Sequence, residues 1–326
     1  LNKQRKNMNN FKKIGLTALA ASLVSTSVFA GELTASGSAS ITVEGYSGTV
    51  LQSDTAYSMG DSVVLSGSSE LDNGMTVSMS FELDSDNQST SSSYDDESVT
   101  ISSDAMGTVK FSGHGGSSAT SAIDATAAGN MWDNFDGTSL GVTGVTDGNA
   151  GAGDNSFHYT LPSMVDGLAL MASLNTAGTT GNNATAFAGT YTGIDGLTVS
   201  YGQGNIETGL ATTTGDQTVM KAAYAYGPVT LAYSSNDIDL GDAATDKVTT
   251  SWGLSYTVSD AVSVTYGMET IDLNNATDAE YEGITASYTA GGMTVSVTSQ
   301  EASNIDNTVD TDNDFDYWSL GLSFAF

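Results

Sequence analysis

Apolar and polar residues alternate along most of this chain, and this period of two constrains its fold more than any other feature. At the C-terminus Trp318, Leu320, Leu322, Phe324 and Phe326 are apolar, and the residues between them are small or polar. Residues at i and i+2 lie on one face of a β-strand, so the segment has one apolar and one polar face. The same alternation recurs at 75–83, 197–201, 229–233, 252–258 and 262–268. The pattern predicts an all-β protein.

Two kinds of connection separate the alternating segments. Short ones rich in Gly, Asn and Asp, which supply the positive φ of tight hairpins, occur at 72–74, 104–107, 165–167, 195–196, 227–228, 260–261 and 291–292. Long, polar and acidic ones occur near 45–58, 84–97, 112–154, 175–184, 203–217, 235–246, 270–280 and 299–314. Seven short and eight long connections predict sixteen antiparallel strands, each of about 10 residues.

Three features favour a membrane barrel over a soluble sandwich, which also alternates. The strand number is large and even, and short and long connections alternate strictly. The polar face has few bulky apolar residues to fill a packed interior, and aromatic residues stand near turns, as at Tyr226, Tyr256 and Tyr288. A sixteen-stranded barrel encloses an aqueous lumen, and its closure satisfies every strand hydrogen bond within the hydrocarbon.

The N-terminal thirty residues have the pattern of a secretory signal peptide. Basic residues precede an apolar run from Ile14 to about Val24, and the small residues Val28 and Ala30 precede Gly31. The alternative is a transmembrane anchor, but the run is shorter than the roughly 20 residues that span a bilayer. We therefore expect residues 1–30 to be removed and residues 31–326 to form a single barrel domain.

Charge and composition exclude several functions. Residues 31–326 contain 3 Lys, no Arg and 38 acidic residues, which gives a formal charge of −35. Nucleic acid is excluded as a partner because phosphate binding needs a basic patch. The absence of Cys excludes disulfides and thiolate metal sites. With two His and no G-x-S-x-G or H-E-x-x-H motif, we expect no enzyme, although paired carboxylates of a hydrolase cannot be located in a sequence.

The chain resembles the general diffusion porins of Gram-negative outer membranes, in particular the compact alphaproteobacterial type. The resemblance covers residues 31–326 and rests on Gly31-Glu32-Leu33, the rhythm of loops and turns, and the ending Leu320–Phe326. It implies a homotrimer in the outer membrane, short periplasmic turns, long extracellular loops and passive diffusion of small hydrophilic solutes. It also implies that Trp318, Leu320, Leu322, Phe324 and Phe326 form the signal read by the barrel-assembly machinery.

The third long connection, about 112–154, is the longest and contains a short helix candidate at Ser121–Ala128. In similar porins this loop folds into the barrel and narrows it, with acids facing basic residues on the wall. The resemblance therefore implies that Asp124, Asp133 and Asp136 form the acidic side of a constriction. The alternative is a surface loop whose acids are solvated.

Basic residues for the opposite side are few. Alternation places Lys110, His158 and Lys221 on the lumen face, and His114 continues the face of Lys110. This set departs from the several Arg usual in similar porins, and each member has the alternative role of a polar residue that meets water. Acids that surround a lumen with so few cations predict a modest cation preference that weakens with salt.

Two loops carry dense acids, and Asp310, Asp312 and Asp314 have the i, i+2, i+4 spacing of a calcium loop without its Gly and Glu. They are either solvated acids or a low-affinity site for Ca²⁺ or Mg²⁺, which would bridge to lipopolysaccharide. No cofactor is required for diffusion. The alternative to a porin is a secreted acidic β-rich adhesin or surface protein that binds Ca²⁺.

Overall fold

The computed structural model describes residues 33–48, 55–84, 94–123, 125–135, 153–176, 183–207, 214–240, 246–274, 276–305 and 314–326. Sixteen strands account for most of them. They are β1 (Leu33–Gly48), β2 (Ala56–Glu70), β3 (Thr76–Asp84), β4 (Tyr94–Ser103), β5 (Gly107–His114), β6 (Ser156–Thr160), β7 (Leu168–Asn175), β8 (Ala184–Ile194), β9 (Leu197–Glu207), β10 (Thr214–Tyr226), β11 (Val229–Asp239), β12 (Lys247–Ser259), β13 (Val262–Leu273), β14 (Ala279–Ala290), β15 (Met293–Ser303) and β16 (Phe315–Ala325).

Each strand pairs with its neighbours in sequence, and β1 closes the sheet by pairing antiparallel with β16. The closing register pairs Ser38 with Ala325 and Gly48 with Phe315. Closure leaves no sheet edge, so every strand finds a partner for its backbone N–H and C=O groups. The predicted sixteen-stranded antiparallel barrel is confirmed.

The two faces of the wall differ as the alternation predicts. Large apolar side chains are exposed on the outer face, for example Phe187 at 65% and Trp252 at 48%. On the inner face hydroxyl side chains pair across strands, as Thr190 with Ser200 at 2.8 Å and Ser263 with Ser287 at 2.7 Å. Such a wall suits lipid outside and water inside. No helix among the described residues is long and apolar enough to cross a membrane.

The strands extend further into the predicted long loops than the alternation indicated. β11 continues to Asp239, β13 to Leu273, and β14 begins at Ala279. There the outward positions carry acids such as Asp237, Asp272 and Glu280. Because the outer face is no longer apolar, the period of two disappears from the sequence while the backbone ladder continues. The short connections do lie at the predicted turns, where Gly74 and Gly196 have φ of 78° and 73°.

Candidate functional site

The described part of the connection between β5 and β6, residues 115–123 and 125–135, lies inside the barrel along its wall. The N–H of Ala119 donates to Ser173 Oγ of β7 at 2.9 Å. Further along, the N–H groups of Ala127 and Ala128 donate to Ser234 Oγ of β11 at 2.7 Å and to Ser251 Oγ of β12 at 2.8 Å. The three serines are buried. This inner loop is therefore hydrogen-bonded to the barrel strand after strand.

The last described residues of the inner loop before position 153 form a 3-10 helix, Met131–Phe135, which is called the tip of the loop below. Phe135 is fully buried, and its ring centroid lies 5.6 Å from that of Tyr281 and 6.0 Å from that of Tyr317. Met131 packs in the same cluster. Asn134 Nδ2 donates to Gln300 Oε1 at 2.8 Å, and its carbonyl accepts a bond from the hydroxyl of Tyr46 on β1. An apolar cluster thus holds the tip against β13–β16 and β1.

Two glycines on the wall allow the inner loop to approach it closely. A Cβ on Gly253 would lie 2.3 Å from the carbonyl oxygen of Ala127. A Cβ on Gly267 would lie 2.7 Å from Ala128 Cβ and 2.9 Å from Met131 Sδ. Real Cβ atoms do not approach so closely, so the loop can reach the wall at these positions only because glycine has no side chain.

The helix expected at Ser121–Ala128 is not seen in the described residues of that segment, 121–123 and 125–128, which adopt turns and bends. The backbone N–H groups of Ala127 and Ala128 bond to wall serines instead of to earlier carbonyls of the loop. The helical segment begins at Met131, and Met131 and Phe135 bury their side chains.

The described residues of the inner loop contact the wall from β7 to β16. Strands β2–β5 lie across the lumen from the docked residues. In a closed sheet of sixteen strands, β3–β5 lie opposite β11–β13, where Ala127–Trp132 is docked. The wall formed by β2–β5 carries mostly hydroxyl side chains at its inward positions, such as Ser80 and Thr100. Lys110 and Glu82 are its charged exceptions near mid-strand. The lumen is therefore bounded by the loop on one side and by a polar wall on the other.

Of the three predicted acids on the loop, Asp133 can be placed. It is exposed on the 3-10 helix, whereas Met131 and Phe135 on either side are buried against the wall. Asp133 therefore faces the open lumen. Asp124 and Asp136 lie outside the described residues.

The predicted basic residues fall into two groups. Lys110 of β5 stands directly opposite His158 of β6 in the strand register. His114, at the end of β5, contacts the carbonyl of Asp95 through Nδ1, and its Nε2 lies 3.9 Å from Asp154 Oδ1. Lys221 is separate from them, on β10 beside Ser234, which is covered by the loop. The structure brings Lys110, His114 and His158 together and leaves Lys221 elsewhere.

Sequence reasoning missed several inward charges. Glu82 lies on β3 beside Lys110 in one cavity. Lys247 is buried on β12, and Glu269 of β13 accepts a hydrogen bond from the N–H of Trp132 at 3.2 Å. The alternation of inward and outward positions along a strand, called parity below, would have predicted all three. The outward apolar residues Phe81, Trp252 and Met268 place 82, 247 and 269 on the inner face.

The acidic loops show no metal site in the part of the chain that can be described. Within it, no group of three or more His, Asp or Glu side chains is arranged to hold a metal ion. Asp314 is exposed and accepts a hydrogen bond from the N–H of Asn304 at 3.4 Å. Asp310 and Asp312 lie outside the described residues.

The C-terminal residues form the last strand of the barrel. Trp318, Leu320 and Phe324 are exposed on the outer face of β16. Phe326 exchanges two backbone hydrogen bonds with Gly37 of β1, at 2.8 and 3.0 Å, and its ring lies where a Cβ on Gly37 would stand. The chain end thus completes the closure between β1 and β16.

A closed barrel with an apolar exterior, a hydroxyl-rich interior and a loop that narrows the lumen defines a transmembrane channel. A family model of Gram-negative porins matches residues 15–294, and the chain belongs to that family. It is a porin of the bacterial outer membrane, and porins are channels without enzymatic activity.

Solved porin structures share this fold at low sequence identity. An anion-selective porin from Comamonas acidovorans is 16% identical, with 91% of this chain and all of that chain covered and a TM-score of 0.66. A mutant of the Rhodobacter blastica porin is 18% identical, with 90% and 100% covered and a TM-score of 0.65. A porin refined at 1.8 Å is 21% identical, with the same coverage and TM-score. No curated protein sequence matches this chain.

Proposed function

We propose that this porin passes ions and small hydrophilic solutes by passive diffusion and prefers cations. The observation that carries the proposal is the placement of carboxylates on both sides of the lumen. Asp133 faces the lumen from the inner loop, and Glu82 lies on the wall opposite. Residues 31–326 contain no Arg and three Lys, so few fixed cations can offset these acids.

The preference should be modest and should depend on salt. A fixed unit charge about 8 Å from a permeating ion contributes about 0.5 kcal/mol in water, which changes occupancy roughly twofold. Several such charges around a narrow lumen act together, because low-dielectric walls focus their field. Screening over about 8 Å at physiological ionic strength weakens the sum as salt rises.

The proposal extends to assembly and partners. We infer that residues 1–30 direct export and are removed, and that the last strand, from Trp318 to Phe326, is recognised by the barrel-assembly machinery. We also infer a homotrimer, since solved porins share the fold. We infer, finally, that acids of the long loops, among them Asp310, Asp312 and Asp314, contact lipopolysaccharide through loosely held Ca²⁺ or Mg²⁺.

The test is the reversal potential of refolded residues 31–326 in a planar bilayer under a KCl gradient. We expect stepwise conductance and a cation-signed potential that shrinks at higher mean salt. Asp133→Asn should move the potential toward zero, while Asp166→Asn, in an exposed turn at the other end of the barrel, should not. An anion-signed potential would refute the cation preference. Absence of steps from folded, inserted protein would refute the channel and favour the adhesin.

A further inference from the structure

A groove crosses the outer surface of the barrel from β7 to β10, and its volume is about 620 Å³. Its apolar part is formed by Leu170, Phe187 and Tyr201, and the last two are 65% and 51% exposed. The strand register sets Leu170, Gly189 and Tyr201 side by side. Because Gly189 has no side chain, this row is depressed between its two large neighbours. The large side chains point away from the lumen, so the groove opens toward lipid.

The groove changes from apolar to polar along its length. After Tyr201 the next outward residues of β9 are Gln203 and Asn205, and Asn205 is paired with Asp216 of β10. All three line the groove, and Gln203 and Asp216 are exposed. They lie toward the ends of β9 and β10 that lead into the long connection between these strands. The polar end of the groove therefore faces the extracellular side of the membrane.

The polar end is held in place by hydrogen bonds. Asn205 Oδ1 accepts bonds from the N–H of Thr185 at 2.8 Å and from Thr185 Oγ1 at 2.7 Å. Asn205 Nδ2 donates to the carbonyl of Asn183 at 3.1 Å. Beside it, the amide of Gln203 can both donate and accept, whereas an ionised Asp216 can only accept. This end of the groove thus suits a group that carries N–H or O–H donors.

The position of the groove restricts what can occupy it. Within a bilayer the hydrophobic effect does not select an occupant, because lipid chains are as apolar as the groove itself. Selection then depends on close packing and on hydrogen bonds. An exposed amide such as that of Gln203 is costly at the edge of the hydrocarbon unless it is hydrogen-bonded. The fitting occupant has an apolar chain and, at the extracellular end of that chain, a polar group with donors.

We propose that this groove binds one acyl chain of lipopolysaccharide, with the amide or hydroxyl group near the start of the chain hydrogen-bonded to Gln203 and Asp216. Lipopolysaccharide forms the outer leaflet on this side of the membrane, and its chains are joined to sugar by amides as well as esters. The chains of a glycerophospholipid are joined by esters, which accept hydrogen bonds and donate none. The site is separate from the acids of the long loops and requires no divalent cation. The inference rests on the outer-membrane location and is independent of which ions pass through the pore.

The test is native mass spectrometry of refolded residues 31–326 in detergent with EDTA. The probes are lipid A, which is the acylated part of lipopolysaccharide, and phosphatidylethanolamine. EDTA releases lipid that is held only through Ca²⁺ or Mg²⁺. Ala172→Trp fills the groove, since Ala172 lines it directly beside Phe187. Ala286→Trp is the matched control, because Ala286 is exposed on the outer face of β14, paired with Val264 and Val297.

We expect the native protein and Ala286→Trp to retain one molecule of lipid A more than Ala172→Trp does. Gln203→Leu keeps a side chain of similar size without its hydrogen-bonding groups. It should weaken the binding of lipid A by about threefold to tenfold, which is the range of one hydrogen bond in a membrane. It should change the binding of phosphatidylethanolamine less. Heat-modifiable mobility in detergent gels confirms that each variant has folded.

Three outcomes would overturn the site. One is equal retention of lipid A by the native protein, Ala172→Trp and Gln203→Leu. Another is binding of phosphatidylethanolamine that equals that of lipid A and is weakened equally by Gln203→Leu, because the groove would then not distinguish lipids. The third is loss of native oligomers in Ala172→Trp but not in Ala286→Trp, because the groove would then be a contact between copies of the chain.

Discussion

Replacing Phe135 with Ala should release the tip of the inner loop without unfolding the barrel. Phe135 is fully buried between Tyr46, Tyr281 and Tyr317, with ring centroids at 6.3, 5.6 and 6.0 Å. Truncating a buried phenylalanine costs about 3–5 kcal/mol, through lost transfer energy and the cavity that remains. Phe135 belongs to no strand, so this cost acts on docking of the loop and not on the ladder.

The magnitude is large enough to be seen in single channels. About 1.4 kcal/mol corresponds to a tenfold change in an equilibrium constant. The loss therefore lowers the ratio of docked to undocked tip by a factor of about 10² to 10³·⁵. The remaining contacts, Asn134 with Gln300 and Trp132 with Glu269, hold the tip less firmly. We expect a larger mean conductance, more current noise, and faster entry of larger sugars into liposomes that contain the variant.

The matched control is Phe157→Ala. Phe157 lies on the outer face of β6, is 46% exposed, and packs against Phe111 with ring centroids 4.9 Å apart and planes tilted by 53°. Its truncation removes the same atoms without touching the loop. It should leave conductance, noise and sugar exclusion as they are. If Phe135→Ala shows native conductance, noise and sugar exclusion, the apolar cluster does not hold the loop, and the reasoning is wrong.

Two further predictions concern the wall and the chain end. Gly253→Ala places a methyl group 2.3 Å from the Ala127 carbonyl oxygen, so the loop must move into the lumen and single-channel conductance should fall. The control is Gly60→Ala on β2, whose methyl group would lie 3.0 Å from Ser40 Oγ of β1, and it should conduct as the native protein does. Equal conductance of both variants would argue against a fixed loop. Deleting Phe326 removes two hydrogen bonds to Gly37, at about 1 kcal/mol each, and should lower the unfolding temperature in detergent gels. An unchanged unfolding temperature would mean that these bonds add nothing to closure.

The sheet could be predicted because its determinants are local. The outward residues Trp318, Leu320 and Phe324 alternate with small inward ones, and this pattern predicts both a strand and its lipid-facing side. Gly196 and Gly227 likewise predict their turns, since a positive φ is a property of one residue. The alternation of apolar and polar residues stops before Asp237 and Asp272, so the predicted strands ended too early. The backbone hydrogen bonds of β11 and β13 continue past those points.

The constriction could be predicted only in part. Parity placed Lys110 and His158 on the inner face, and the register sets them side by side. The order of residues did not indicate that Glu82, Asp96 and Lys110 would line one cavity, because strand register and β-bulges decide which positions of β3, β4 and β5 meet. Loop residues that bind wall residues more than a hundred positions away, such as Ala128 with Ser251, leave no periodic signal in the sequence.

The sequence by itself determined the number of strands, the two faces of the wall, the turns and an excess of acids over bases. Each follows from residue types a few positions apart. The tertiary structure decided where the described part of the inner loop docks and which charges share a cavity. Those features depend on contacts between segments far apart in the chain, which come together only when β16 closes on β1.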